Sequence, residues 1–169
     1  INKLKELKIG NLTARLPIIQ GGMGVGISLS GLAAAVANEG GIGVIAAAGI
    51  GMLDYDFSIN FLEANLNRLR SEIRKARNKT KGIIGVNIMV ALNNYAEFVK
   101  TAIEEGIDII FSGAGLPLNL PQYLEEKYQT KLIPIVSSAR AASIICRKWL
   151  DKYNYLPDAM VVEGPKAGG

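Results

Sequence analysis

Histidine is absent from all 169 residues. That removes the usual general base near neutral pH, the usual metal ligand and every Ser-His nucleophile pair. A single cysteine, Cys146, excludes an internal disulfide framework and a cysteine-built zinc site, and fits a reducing compartment. It shares an apolar helix face with Ile145 and Trp149, which reads as core rather than nucleophile. No apolar run approaches the roughly 18 residues of a membrane span, the nearest being Ile42 to Ile50. The first residues interleave Asn2, Lys3, Lys5 and Glu6 and contain no signal-peptide core, so a cytoplasmic location is the expectation. The Asn-x-Thr sequons at Asn11 and Asn78 therefore carry no weight. No G-x-x-x-x-G-K-[ST] phosphate loop occurs, and the acidic residues scatter over helix faces, apart from Glu163. Chemistry based on the protein's own side chains has little to work with here. A cofactor that brings its own reactivity is the reading left standing.

What remains is an ordinary globular composition, 49% hydrophobic and 20% charged, long enough for one domain spanning residues 1–169. The net charge of +4 raises the question of an acidic partner. Most of it falls in one stretch holding Arg68, Arg70, Arg74, Lys75, Arg77, Lys79 and Lys81. Leu62, Leu66, Leu69 and Ile73 recur there at helical spacing, so the basic residues form the solvated face of an amphipathic helix. Neither interleaved aromatics nor a nucleic-acid motif accompanies them, and no nucleic-acid partner is expected.

The chain alternates strand and helix. Apolar runs at Leu16 to Gln20, Ile42 to Ala47, Gly82 to Val90, Ile107 to Phe111, Lys131 to Val136 and Ala159 to Val162 predict six strands. Between them lie helix patterns: one with Ser30 as its cap, running to Gly40-Gly41, then the long basic helix, then one opened by Asn94. A short helix with Pro121 in its first turn and a helix over Ser138 to Leu150 follow. Continuous rather than alternating apolar strands are buried on both faces, as in a parallel sheet flanked by helices. A doubly wound open sheet and a TIM barrel both fit. Small or polar residues stand at all six strand ends: Gly21 to Gly24, Ala48-Gly49, Asn87, Ser112-Gly113, Ser137-Ser138 and Glu163-Gly164. A barrel gathers such ends around one mouth, whereas an open sheet uses mainly those at its switch point, so the placement favours the barrel.

Two glycine motifs need separating. Gly41 to Ala46 matches G-x-G-x-x-A, but it follows a helix and opens a strand, the reverse of a dinucleotide fingerprint. Gly22-Met23-Gly24-Val25-Gly26 follows a strand and precedes a helix, where residues without side chains let backbone N–H groups approach a ligand. It is read as a ligand loop or a plain strand-to-helix turn.

Pro17-Ile18-Ile19-Gln20-Gly21-Gly22-Met23-Gly24 resembles the opening motif of nitronate monooxygenases and of the related flavin-dependent enoyl-ACP reductases. Ala34 to Gly43, Gly85 to Met89, Ser112 to Gly115 and Val162 to Gly169 resemble further family motifs, in the family's order along nearly the whole chain. The resemblance implies a TIM (β/α)₈ barrel, of which this chain supplies about six strands, binding FMN without a covalent link. It implies cofactor contacts at Gly22, Met23 and Gly24, at Asn87 and Met89, at Ser137, and at Glu163, Gly168 and Gly169. The reaction it implies is oxidation of alkyl nitronates by dioxygen to a carbonyl compound and nitrite. The alternatives are an FMN- and NAD(P)H-dependent enoyl-ACP reductase or an inactive flavin-binding fragment. The family motif ends in histidine, so the catalytic base is expected directly after Gly169, in a continuing chain. Metal is not expected, and homo-oligomerisation is left open.

Overall fold

The computed structural model describes residues 4–52, 54, 55 and 58–167. It opens with an antiparallel hairpin, β1 (Leu7–Ile9) and β2 (Leu12–Ala14). Gly10-Asn11 makes the turn, with Gly10 at φ 56°, a left-handed geometry that glycine adopts freely. The strand pattern sought above missed this pair, although Gly-Asn between two short apolar runs is a hairpin signal.

Then come α1 (Ser30–Asn38), β3 (Gly43–Ala46), α2 (Phe61–Lys79), β4 (Ile84–Met89), α3 (Tyr95–Glu104) and β5 (Ile109–Gly113). A 3₁₀ turn over Leu120–Tyr123, β6 (Lys131–Val136), α4 (Ala139–Tyr153) and β7 (Val161–Val162) complete the order. β3 to β7 form one parallel sheet in which every strand lies beside the next in sequence. A doubly wound sheet reverses its order at a switch point; this one never does, which is the winding of a barrel. The fold is α/β, part of a TIM barrel, as expected.

Two expectations are corrected. Leu16 to Gln20 is not a full strand: it runs parallel to β3 but makes one ladder bridge, Ile19 with Ile42. The chain leaves the sheet after Gln20, whose side chain takes over the pairing with β3. Ser30 does not cap α1 either. Its side chain makes no capping bond, and the buried carboxylate of Glu72 on α2 instead accepts from the Ser30 N–H at 3.0 Å. An anion at a helix N-terminus satisfies the same orphan donors that a cap would.

The strands are buried on both faces because each faces a separate core. Ile45, Ile84, Val86, Ile88, Ile110 and Leu132 pack outward against α2, α3 and α4 through Leu69, Ile73, Val99, Ile103 and Trp149. Burying each of these large side chains contributes about 1.5–3 kcal/mol. Trp149 meets its polar requirement by donating to the Pro117 carbonyl at 2.9 Å. Ile42, Val44, Ile109, Phe111 and Ile133 face inward and pack against Ile9 and Ala14, so the hairpin closes the floor of the barrel wall. α1 lies so close to β3 that a Cβ on Gly43 would come within 1.9 Å of the Ala33 carbonyl oxygen.

The basic face of α2 is more ion-paired than freely solvated. Arg68 reaches Asp54 at 2.8 Å, and Arg77 reaches Asp108 at 2.7 Å. Arg74 forks onto Glu105 through two bonds of 2.6 and 2.7 Å. Such pairs fix the helix to its neighbours more than they stabilise it. Cys146 is half-buried on α4, less enclosed than the core placement expected for it. Among the described residues no helix is long and apolar enough to cross a membrane.

Candidate functional site

Inward-facing positions near the C-terminal ends of the strands enclose a cavity of about 430 Å³, within the range of small-molecule sites. β3 contributes Val44, β4 Asn87, β5 Phe111 and β6 Ile135, with Val161 and Glu163 from β7 and the residue just beyond it. These side chains share one face because strand residues alternate and the registers match: Asn87 stands opposite Phe111, and Ile135 opposite Val161. The remaining wall is the segment Ile19 to Met23.

That segment is held by side-chain bonds rather than by a strand ladder. The Gln20 carboxamide donates to the Val44 carbonyl at 2.9 Å and accepts from the Val44 N–H at 3.2 Å. Ser28, 2% exposed, accepts from the Met23 N–H at 3.0 Å and donates to the Gly21 carbonyl at 3.3 Å. Gly22 comes so near Asn87 that a Cβ there would lie 2.6 Å from the Asn87 Cβ and 3.1 Å from its Cγ. No side chain fits at Gly22 while Asn87 holds its place.

Of the residues singled out from sequence, the cavity brings together Gly22, Met23, Asn87 and Glu163. Gly24 lies outside the lining, packed against Ala48, whose carbonyl oxygen is 2.8 Å from where a Gly24 Cβ would be. Met89 is exposed at the end of β4, opposite Gly113, and Ser137 is exposed at the bend before α4. Gly168 and Gly169 lie outside the described residues. Sequence reasoning missed Gln20, Ser28, Val44, Phe111 and Ile135. Alternation within the apolar strands carried a signal for the last three, and Gln20 is a polar residue closing the first apolar run.

Chemically the cavity has apolar walls and few polar groups. The carboxamides of Gln20 and Asn87 are neutral, and among the described residues Glu163 is the one ionisable side chain in the lining. Among the described residues no cluster of histidine, cysteine or carboxylate side chains suits a metal ion. Apolar faces with an amide edge suit a flat heteroaromatic ring that carries its own carbonyl and N–H groups. The sequence profile of nitronate monooxygenases matches residues 5–169.

The chain belongs to the nitronate monooxygenase family.

Its family motifs, distant in sequence, meet in space, since Gly22, Asn87 and Glu163 line one cavity. FabK from Thermotoga maritima is similar at 33% identity and a TM-score of 0.68, over 90% of this chain and 42% of that one. A mutant form of the same protein gives a TM-score of 0.70 at 33% identity, over 90% of this chain and 44% of that one. Nitroalkane oxidase from Streptomyces ansochromogenes shares the fold, with a TM-score of 0.70 at 20% identity, over 91% of this chain and 48% of that one. The chain thus spans less than half the length of these solved relatives. No curated protein matches it.

Proposed function

We propose that the cavity holds FMN and that the intact protein oxidises alkyl nitronates with dioxygen, giving a carbonyl compound and nitrite. The observation that supports this best is the convergence of Gly22, Met23, Asn87 and Glu163 on one cavity in a chain of the nitronate monooxygenase family. Residues 1–169 are taken as part of a single FMN-binding domain.

In this reading Gly22 leaves room for the edge of the ring, and the Asn87 carboxamide, both donor and acceptor, meets the ring's amide groups. Met23, Phe111 and Ile135 cover the ring faces and keep water from them. Gly24, Met89 and Ser137 act at the rim, and Glu163, Gly168 and Gly169 complete the set. Bound there, the flavin supplies the electron acceptance that these side chains lack. FMN is favoured over FAD or a free nicotinamide because the Gly21 to Gly26 loop lacks the dinucleotide spacing. A nitronate is favoured because it arrives already deprotonated, so its oxidation asks no base of a lining whose one ionisable group among the described residues is Glu163.

A second reading, an NAD(P)H-dependent enoyl-ACP reductase, is favoured by two observations. Identity to FabK is 33%, against 20% to the nitroalkane oxidase. Met23, which lines the cavity, and Val25, Ile27 and Met52, in the loops that follow the first two apolar runs, are exposed apolar side chains of the kind that an acyl chain would cover.

One experiment separates the readings. The full-length protein is denatured, its released flavin identified, and the native enzyme assayed with nitronate and with NADH. FMN, nitrite release from nitronate, and slow reduction by NADH alone are expected. Rapid bleaching by NADH that an enoyl thioester consumes would establish the reductase. FAD, or no flavin after supplementation, would remove the cofactor reading.

A further inference from the structure

The outer edge of β3 is paired along its length, but not by one strand. The Ile42 N–H donates to the Ile18 carbonyl at 2.9 Å, and the Gln20 N–H to the Ile42 carbonyl at 3.0 Å. There the backbone departs. Both polar groups of Val44, the next outward-facing peptide positions, are met by the Gln20 carboxamide, which has the same donor and acceptor as a peptide. Backbone pairing then resumes from further along the chain. The Ala46 N–H donates to the Ser28 carbonyl at 3.0 Å, and the Val25 N–H to the Ala48 carbonyl at 2.8 Å.

Residues 21 to 24 are therefore an arch standing off the sheet, and Gly21, Gly22 and Met23 line the cavity. Ser28 closes the arch with three bonds. Its N–H donates to the Met23 carbonyl at 3.0 Å, while its hydroxyl bridges the Met23 N–H and the Gly21 carbonyl on either side of Gly22. Among the described residues the Gly22 N–H finds no protein partner. Val25, at φ 53°, holds a left-handed conformation that a β-branched residue rarely adopts, a strain that persists only where surrounding bonds impose it. A plain strand would satisfy Val44 with backbone and keep residues 21 to 24 in the sheet. The side-chain substitute is what frees this stretch.

We propose that Gln20 and Ser28 are the positioning residues of the cofactor loop: the carboxamide of one and the hydroxyl of the other hold the Gly21–Met23 arch against the bound ring. The proposal rests on the flavin reading of the cavity. Neither residue touches reacting atoms; both act through the backbone of the arch.

The test uses the full-length protein, stripped of flavin, with Gln20→Ala, Gln20→Glu, Ser28→Ala and Ser28→Thr. Two quantities are measured at a temperature well below every unfolding midpoint: the FMN dissociation constant by fluorescence quenching, and amide hydrogen exchange without flavin. Losing the two side-chain bonds should weaken FMN roughly tenfold in each alanine variant, with Ser28→Thr restoring affinity. Gln20→Glu keeps the acceptor but turns a carboxylate oxygen toward the Val44 carbonyl, so it should bind FMN no better than Gln20→Ala; it also serves if the alanine variant does not fold. Without flavin, exchange should quicken at Met23 in Ser28→Ala and at Val44 in Gln20→Ala, while amides of β4 and β5 stay as in wild type. A merely structural role would raise exchange across the sheet and leave FMN affinity unchanged in the folded fraction, and that result overturns the proposal. So does affinity within twofold of wild type in both alanine variants. If wild type itself binds no FMN, the flavin reading fails and takes the proposal with it, an outcome distinct from normal binding with indifferent variants.

Discussion

Gly22→Ala is the perturbation that bears most sharply on the geometry of the site. The added Cβ would lie 2.6 Å from the Asn87 Cβ, where ordinary carbon contacts begin near 3.5 Å, so arch and strand must separate by about 1 Å. Asn87 sits within β4, paired on both sides by β3 and β5, and cannot retreat; the arch has to move. Overpacking of this kind destabilises by roughly 1–3 kcal/mol, and a displacement of about 1 Å in a site can lower function by about 10²-fold. The identity of the clashing atom supplies an internal control. Asn87→Ala keeps the offending Cβ, whereas Asn87→Gly removes it. In urea unfolding, Gly22→Ala should destabilise the wild-type and Asn87→Ala backgrounds alike, and should be nearly neutral in Asn87→Gly. The coupling between Gly22→Ala and Asn87→Gly should be about 1 kcal/mol or more, as for residues in direct contact. Additive effects across that cycle would refute the close approach of arch and β4 on which the site description depends.

Other consequences follow from the supports of the site. Gly43→Ala would drive a Cβ to within 1.9 Å of the Ala33 carbonyl oxygen, a backbone atom with no rotamer to escape into, so a loss of about 3 kcal/mol or more is expected in urea melts. Burial raises the Glu72 carboxyl, but hydrogen bonds from Ser30 and Lys75 outweigh it and hold it below its ordinary 4.5. A lowered folded value gives stability that is complete above 4.5 and is lost as pH falls through the lower folded value. Glu72→Gln should therefore cost roughly 1–3 kcal/mol at neutral pH, with the gap to wild type closing on acidification below 4.5; a gap independent of pH would contradict the assignment. Burial likewise pushes the Tyr95 hydroxyl, bonded to Ser112 at 2.8 Å, up to about 12. Its contribution is complete below pH 10 and is lost as pH rises toward 12, a loss that Tyr95→Phe should not share in alkaline unfolding curves.

The barrel winding was legible because the strands between Ile42 and Val162 are continuous apolar runs with small or polar residues at their ends, a pattern that depends on local burial alone. β6 follows the predicted Lys131 to Val136 boundaries for the same reason. Less legible were features that depend on a partner distant in sequence. Gln20 looked like the last residue of a strand, and only the position of Val44, 24 residues on, shows its side chain standing in for backbone. Ser30 looked like a cap, and Glu72, 42 residues away, does that work. Phe111 and Ile135 were recognised as strand residues, but which face turns inward depends on how the sheet curls. Gly22, Met23, Asn87 and Glu163 were accessible from family resemblance, because motif residues are constrained together. Ser28, which holds the loop that carries two of them, belongs to no motif and had no signal of its own.

The central claim, that the cavity at the strand ends is a flavin site, is tested most directly by determining the structure of the full-length protein with FMN at saturating concentration. The ring is predicted between Gly22 and Met23 on one side and Phe111 and Ile135 on the other, with the Asn87 carboxamide at its edge and Glu163 beside it. Flavin bound elsewhere, or this cavity empty while FMN is in excess, would contradict the account.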